Sequence, residues 1–453
     1  MLVAIAGASV TPAAAEALLL MEADSGKVLQ AENATYPWYP ASVTKLMTAY
    51  VILKAVKAGR ITLDTPFTVS ANALSQPPTK MGFKVGTVVT VDNALKMLMV
   101  KSANDMAVVL AEGLSGSVEK FADEMNDNAH RLGMTQTNYV NPNGLPAEGH
   151  VSSARDLGVL ARAIYKDLPE YAYFWKLPGI RFGRRTMRNY NRLIDLYPGA
   201  DGMKTGFICA SGFNLVASAT RNGRRLIAIV LGAPSASVRT YKAAKMLEQG
   251  FNNNRLNWLM PTLGTVDELV PIAAPPPNLR EETCGKNRKR PAAEDEEVEV
   301  SGDSNSPLSF LLSNLQSNVK VSDVLANGNP LLPPVDVFVG AVKPSSVAAA
   351  EAQESQLAGG GKPAKKHAKV AAKPNHGKPS HGTSEKPQAA AKPAAAKPAG
   401  TKSAAASTAS AKSASKPKGI TVGPAAAGVP KTSAKTAKPA APSAAKPQTT
   451  SQR

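Results

Sequence analysis

The sequence sets a serine and a lysine three residues apart in Ser42-Val43-Thr44-Lys45. A serine hydroxyl is a poor nucleophile until a neighbouring base takes its proton, and a lysine amine desolvated near another cation can act as that base. Residues three apart share one face of a helix. This pair opens one, since Leu46, Met47, Tyr50, Val51, Leu53 and Ala55 recur at helical spacing until Gly59 stops the pattern. Taken alone, such a spacing is more often an N-cap serine followed by a solvated lysine. Two further groups bear on it. Ser102-Ala103-Asn104 brings a second hydroxyl and a carboxamide into a break between helical patterns. Asp201-Gly202-Met203-Lys204-Thr205-Gly206 brings a lysine, a hydroxyl and a glycine to the start of strand-like sequence, where a glycine lets another backbone approach a strand edge. By themselves, the first is an uninformative tripeptide and the second an ordinary turn into a strand.

The elements that must carry these groups follow from periodicity. Ala17 to Ala34 reads as a hairpin around Ser25-Gly26. The long helix follows from Ser42 to about Ala58. Between Val91 and Ala129 helical patterns are interrupted near Lys101 to Asp105 and again at Gly113 to Gly116. Asn141-Pro142-Asn143-Gly144 is loop chemistry, and Ser153 to Tyr165 is helical again. From Gly206 the pattern changes to strands that turn at Arg221-Asn222-Gly223, and Ser235 to about Asn252 closes the domain as a helix. Strands at both ends of a helical middle imply an α/β domain. Its antiparallel sheet holds both chain ends, with helices packed over it and a helical subdomain to one side.

In this order the three groups resemble the S-x-x-K, S-x-N and K-T-G set of the penicillin-recognising serine enzymes. Within that superfamily the chain is similar to the D-alanyl-D-alanine carboxypeptidases of the low-molecular-weight penicillin-binding proteins. The resemblance runs from about Leu18 to Asn252. It includes Pro40 to Ala49, Asn141 to Leu145, Ser152 to Asp156, and Asp201 to Gly206 followed by Ser211-Gly212. It implies a β-lactamase/transpeptidase-like fold and removal of the terminal D-alanine from peptidoglycan stem peptides through an acyl-enzyme on Ser42. It also implies β-lactams as covalent inhibitors, and neither cofactor nor metal. Carried over residue by residue, it makes Ser42 the nucleophile and Lys45 its general base. Ser102 relays protons to the leaving D-alanine, and Asn104 holds the substrate amide. Lys204, Thr205 and Gly206 line the substrate, and Arg239 joins Lys204 and Thr205 in facing its terminal carboxylate. The backbone N–H groups of Ser42 and Phe207 form the oxyanion hole.

Other readings make different demands. A DD-endopeptidase cutting D-alanyl cross-links uses the same constellation. A β-lactamase needs a glutamate-activated water and a Ser-Asp-Asn motif, whereas here the middle motif is Ser-Ala-Asn and the 141–156 loop holds only Glu148. A Ser-His-Asp hydrolase has only His130 and His150 to draw on before the tail, and no nucleophile elbow accompanies them. His130 reads as a surface residue. His150 is a bare loop histidine or a cleft residue that assists deacylation. A non-catalytic wall-binding protein would not need Ser42, Lys45 and Lys204 intact.

Composition divides the 453 residues unevenly. No Phe, Trp or Tyr follows Phe338, and residues 341–453 are mostly Ala, Lys, Pro, Ser, Thr and Gly, a tail expected to be disordered. Its eighteen lysines and Arg453, against Glu351, Glu354 and Glu385, carry +16 of the net +19. The basic balance therefore belongs to the tail, which suits an anionic wall or membrane surface rather than nucleic acid. Residues 1–15 read as a truncated export signal: Leu2 to Val10 is apolar, and Thr11 to Ala15 offers small residues for cleavage. The periplasm or cell envelope is the expected location, peripheral to the inner membrane. The catalytic domain is assigned to 16–260. Residues 261–340, with Pro275-Pro276-Pro277, a basic and an acidic run, and an amphipathic stretch from Pro307 to Leu325, are assigned to a linker. The β-rich second domain and terminal anchor helix usual in the family are not legible after Val270. Cys209 and Cys284 form one bridge in an oxidising compartment, or else are a strand residue and a free linker thiol.

Overall fold

The computed structural model describes residues 16–252, 263–286, 325, 332–342 and 344–345. The chain enters as β1 (Ala17–Glu22) and β2 (Val28–Glu32), paired antiparallel. A single 3-10 turn, Ala41–Thr44, leads into α1 (Lys45–Lys57). A small hairpin of β3 (Pro66–Thr68) and β4 (Val88–Thr90) brackets the short α2 (Ala71–Ser75). Three helices follow: α3 (Val91–Val100), α4 (Asn104–Ser115) and α5 (Val118–Arg131), then α6 (Ala154–Asp167). A second hairpin, β5 (Gly179–Phe182) and β6 (Arg185–Arg188), and one turn of α7 (Leu193–Leu196) precede three long strands. These are β7 (Ala200–Ile208), β8 (Gly212–Arg221) and β9 (Arg224–Ala233), closed by α8 (Ala236–Asn252). Further on lie α9 (Arg280–Cys284) and β10 (Val335–Asp336). No helix among the described residues is long and apolar enough to cross a membrane.

Both chain ends of the domain meet in one antiparallel sheet of order β2-β1-β9-β8-β7. Alternate side chains of a strand point to opposite faces, and here both faces are apolar. Leu19 and Met21 of β1 with Ile227, Ile229 and Leu231 of β9 join one buried cluster with α1 and α6. Leu18, Leu20, Leu226, Ala228 and Val230 join the other beneath α8. The result is the expected α/β architecture, three layers with β7 at an edge. Helix α1 runs through the interior, every residue from Lys45 to Leu53 being buried, as expected of a helix apolar on all sides. Side chains of Thr90, Ser117 and Ser153 accept backbone N–H groups at the starts of α3, α5 and α6, which is why those polar residues directly precede the helices.

The structure departs from the sequence reading in three places. The helix at Ser42 begins as a 3-10 turn, and the α-helix proper starts at Lys45. Gly113 lies inside α4 rather than in a break, because its missing side chain admits the Phe67 ring; the helix ends at Gly116, which takes a left-handed conformation. Parts of the stretch assigned to a linker pack on the domain. Gly264 accepts a bond from the Val28 N–H at 2.9 Å, Val266 is fully buried, and Leu279 N–H reaches the Ala210 carbonyl at 2.9 Å. Cys284 is bonded to Cys209, closing a 75-residue separation. β10 extends β5 in parallel, and Arg181 forms a two-pronged pair with Asp336 at 2.5 and 2.7 Å. Residues 1–15, the charged runs from 287 to 299, the amphipathic stretch before Leu325 and the tail from 346 lie outside the described residues.

Candidate active site

Ser42 sits in the 3-10 turn and Lys45 one step later, at the first turn of α1. Lys45 Nζ is 2.9 Å from Ser42 Oγ, 2.8 Å from Asn104 Oδ1 and 2.6 Å from the Asn143 carbonyl. Three acceptors thus fix the amine of a side chain that is fully buried, while Ser42 remains partly open. Two of the three oxygens come from distant loops. Asn104 opens α4 after the break at Ser102, and its amide donates to the Pro77 carbonyl at 3.0 Å. Asp105 beside it takes the N–H groups of Met81 and Gly82 at 3.1 and 2.8 Å, so the 77–82 loop is tied to the start of α4. Asn143 belongs to the Asn-Pro-Asn-Gly loop, where Gly144 is required twice over. It has φ +80°, and a Cβ there would lie 1.8 Å from the Ala41 carbonyl oxygen.

β7 forms the opposite wall. A Cβ on Gly206 would stand 2.9 Å from both Ser42 N and Val43 N, so only glycine lets the strand edge approach the nucleophile's backbone this closely. Phe207, the next residue, pairs with Phe213 of β8. Lys204 and Thr205 are each 1% exposed. Lys204 Nζ contacts the Thr205 carbonyl at 3.0 Å. Arg239 reaches in from α8, also 1% exposed, to the Asn214 carbonyl at 3.3 Å and over the Phe213 ring; it is not a solvated helix residue. The structure therefore joins Ser42, Lys45 and Asn104 by hydrogen bonds and sets the β7 segment from Lys204 to Phe207 against Ser42 through Gly206, while Arg239 contacts Asn214 and Phe213 of β8.

Two buried hydroxyls at this cleft, Ser102 Oγ and Thr205 Oγ1, have no hydrogen-bond partner. Ser102 holds a left-handed backbone, φ +58°. Buried polar groups are almost always paired, and orphans mark strain, catalysis or an absent partner. Ser102 stands two residues before the Asn104 that holds Lys45, and Thr205 one before the Gly206 that abuts Ser42.

Sequence reasoning missed the supports of this arrangement. Asn214, a polar residue between the apolar Phe213 and Leu215, donates to the Tyr39 and Pro40 carbonyls at 2.9 and 3.2 Å and thereby moors the turn carrying Ser42. Its type was the available signal, since a buried amide needs partners. Asn143 acts through its main chain, for which side-chain identity gives no signal. His150 is 2% exposed. Its Nδ1 accepts the Val140 N–H at 3.0 Å, so Nε2 carries the proton and faces Thr44 Oγ1 at 2.8 Å. Burial, and secondarily the charge of Lys45, push its pKa down to about 4, so the neutral ring braces the turn between Ser42 and Lys45. A cavity of ≈ 530 Å³ opens next to this brace, between Ala41, the 144–151 loop and Ile208.

Residues 5–235 match the family described as D-alanyl-D-alanine carboxypeptidase. The chain is 37% identical over 246 residues to D-alanyl-D-alanine carboxypeptidase DacF of Bacillus subtilis, covering 52% of this chain and 62% of that protein. It is 39% identical over 244 residues to DacC of Escherichia coli, covering 52% and 61%. Among solved structures it resembles the D-alanyl-D-alanine carboxypeptidase DacD of Francisella tularensis, with TM-score 0.51 and 30% identity over 56% of this chain and 73% of that one. Penicillin binding protein 6B of Escherichia coli gives TM-score 0.50 and 38% identity over 52% and 76%. The fold and the order of the site residues are similar to those of the penicillin-binding proteins. The chain belongs to the D-alanyl-D-alanine carboxypeptidase family. It spans about three fifths of the length of the curated relatives it matches.

Proposed function

We propose that this protein is a serine-type D-alanyl-D-alanine carboxypeptidase that trims the terminal D-alanine from peptidoglycan stem peptides. The observation that carries this is the Ser42–Lys45 contact at 2.9 Å, with two buried hydroxyls that have no partner on the adjoining segments, Ser102 before Asn104 and Thr205 before Gly206. Lys45, in the form with a free lone pair, takes the Ser42 proton as Oγ attacks the carbonyl carbon of the penultimate D-alanine. The oxyanion is received by the Ser42 and Phe207 N–H groups, donors of a kind worth roughly 2.7–4 kcal/mol each. The C–N bond breaks, and the departing amine takes a proton through Ser102. Water then attacks the ester carbon and gives up a proton towards Lys45; the acid is released and Ser42 Oγ regains its hydrogen. Thr205, Lys204 and Arg239 hold the terminal carboxylate, where a guanidinium suits a two-pronged contact. A β-lactam is opened by the same attack, but its amine stays tethered, so it labels Ser42 covalently.

Fluorescent penicillin on the full chain tests the nucleophile, with labelling expected and lost in Ser42→Ala. Digestion of purified muropeptides separates trimming from cutting: loss of a single alanine mass supports the carboxypeptidase, and conversion of cross-linked dimers to monomers supports an endopeptidase. The apolar start and small-residue site at 1–15 support export, hence a place in the periplasm or cell envelope. The cationic tail is read as disordered and as a tether to anionic wall or membrane surface. Removing residues 341–453 should leave hydrolysis of a small peptide unchanged and reduce sedimentation with sacculi or anionic vesicles, less so as salt rises. Equal, salt-insensitive sedimentation of both forms would leave the tail a passive spacer.

A further inference from the structure

Phe207, whose N–H receives the oxyanion in the proposed reaction, stands near the end of an edge strand. β7 is paired on one side only, with β8, and its other edge meets Ser42 and Val43 through Gly206. Segments held by few contacts open locally at little cost in free energy. β7 stops at Ile208, one residue beyond Phe207, and the turn that follows is where other parts of the chain fasten.

Within that turn, Ser211 Oγ accepts the Ile208 N–H at 3.3 Å, and the Ser211 N–H returns to the Ile208 carbonyl at 3.0 Å. The Ser211 carbonyl accepts Nε1 of Trp38 at 3.0 Å, a fully buried side chain on the segment that leads into Ser42. The Ala210 carbonyl accepts the Leu279 N–H at 2.9 Å. Cys209 itself is bonded to Cys284 of α9 across a 75-residue separation. The bridge is thus the covalent member of a junction that joins the approach to the nucleophile, the oxyanion strand and the 263–286 segment. Both cysteines are partly exposed, and Glu281 and Glu282 beside Cys284 are open to solvent. A disulfide at the surface is within reach of an attacking thiolate, and such bridges are the ones that exchange. The sequence holds two cysteines and both are in this bridge, so no third thiol of the chain competes for either sulfur.

We propose that Cys209 and Cys284 are a positioning pair that makes the carboxypeptidase reaction redox-dependent. Oxidised, the pair holds the Phe207 N–H at the oxyanion position; reduced, it lets the end of β7 move and slows acylation of Ser42 while the fold persists. Neither cysteine belongs to a buried apolar cluster or to the β7–β8 register, which is why the fold does not depend on them. A compartment that keeps thiols reduced therefore holds the chain in its slow form. The switching step is thiol–disulfide exchange with a dithiol. One thiolate attacks a sulfur of the bridge, the S–S bond breaks, and the second thiolate closes the reductant to its own disulfide, leaving two electrons and two protons on the protein as the Cys209 and Cys284 thiols.

The inference rests on the carboxypeptidase reading, and the test separates the two. The full chain is reduced with dithiothreitol, desalted without air and compared with the untreated protein. Two rates are measured, Ser42 acylation by a fluorescent penicillin and D-alanine release from a small peptide ending in D-alanyl-D-alanine. Iodoacetamide labelling read by intact mass confirms the thiols opened. Because a reacting geometry misplaced by about 1 Å costs about a hundredfold, partial release of one donor should lower both rates about tenfold, mostly in kcat. Reoxidation should restore them, and Cys209→Ser/Cys284→Ser should be slow with or without dithiothreitol. Equal rates for the oxidised and reduced forms overturn the positioning role and leave the carboxypeptidase intact. So does loss of the near-ultraviolet circular dichroism on reduction, which would make the bridge a support of the whole fold. No acylation in either form overturns both.

Discussion

At one end of β7, Asp201 collects the hydroxyls of Ser218 at 2.7 Å and Thr220 at 2.6 Å and the guanidinium of Arg225 at 3.1 Å. Tyr165 closes the group by contacting Ser218 Oγ at 2.5 Å beneath the stacked Arg225. At the other end, four residues along the same strand, Thr205 buries a hydroxyl with no partner, and Ser102 across the cleft does the same. A closed polar network stabilises the fold, whereas an open one stores binding capacity for a ligand. The contrast separates structural polarity from functional polarity within one strand.

Four substitutions break or sharpen that contrast. The largest effect belongs to Ser42→Ala, which removes the nucleophile and almost no buried volume. We expect kcat for D-alanine release to fall by roughly a thousandfold or more with an unchanged thermal midpoint, and residual turnover above that level would locate the nucleophile elsewhere.

Next is the pH dependence set by His150. In the fold its pKa is held at about 4 by burial and the Lys45 charge, and in the unfolded chain it returns to near 6.5. The unfolded state therefore binds more protons between those values. Stability is complete above pH 6.5 and is lost as pH falls towards 4, by about 3 kcal/mol for a displacement of this size. Urea midpoints measured across that range should slope in the wild type and flatten in His150→Gln; parallel slopes would mean the ring is not buried neutral.

Asp201→Ala strands two hydroxyls and a guanidinium, and should cost about 2 kcal/mol in unfolding free energy. The smallest effect is expected of Thr205→Val. Its Oγ1 makes no protein bond, so stability should stay within about 0.5 kcal/mol. Meanwhile kcat/KM on a peptide with a free terminal carboxylate should fall about tenfold, as for loss of one bond to a charged group. If Thr205→Val destabilised as much as Asp201→Ala, the two ends of β7 would be alike and the open hydroxyl would have no ligand role.

Much of the scaffold was legible because its periodicities are local. The β1–β2 hairpin, α1, the helices between Val91 and Ala129 and the β8–β9 hairpin repeat at 2 or 3.6 residues over spans long enough to read. The β5–β6 hairpin was not legible, since its strands have four residues each and the pairing of β5 with β10 joins residues 155 apart. Nor was the docking of residues 263–286. Pro275-Pro276-Pro277 forbids regular structure, which resembles a linker in sequence although Pro277 is buried. The bridge between Cys209 and Cys284 depends on a separation in space that spacing in sequence does not set.

The sequence by itself determined the reacting groups and their local geometry: Ser42 and Lys45 on one helical face, a hydroxyl and a carboxamide at a helix start, a glycine on a strand edge. Helical and strand periods carry that information over a few residues. Only the tertiary structure decided that Lys45 is fully buried among Asn104 and Asn143, that β7 approaches Ser42 through Gly206, and that Ser102 and Thr205 are left without partners. Desolvation and hydrogen-bond closure depend on every segment that packs around a group, and the segments around this cleft come from residues 38 to 279 of the chain.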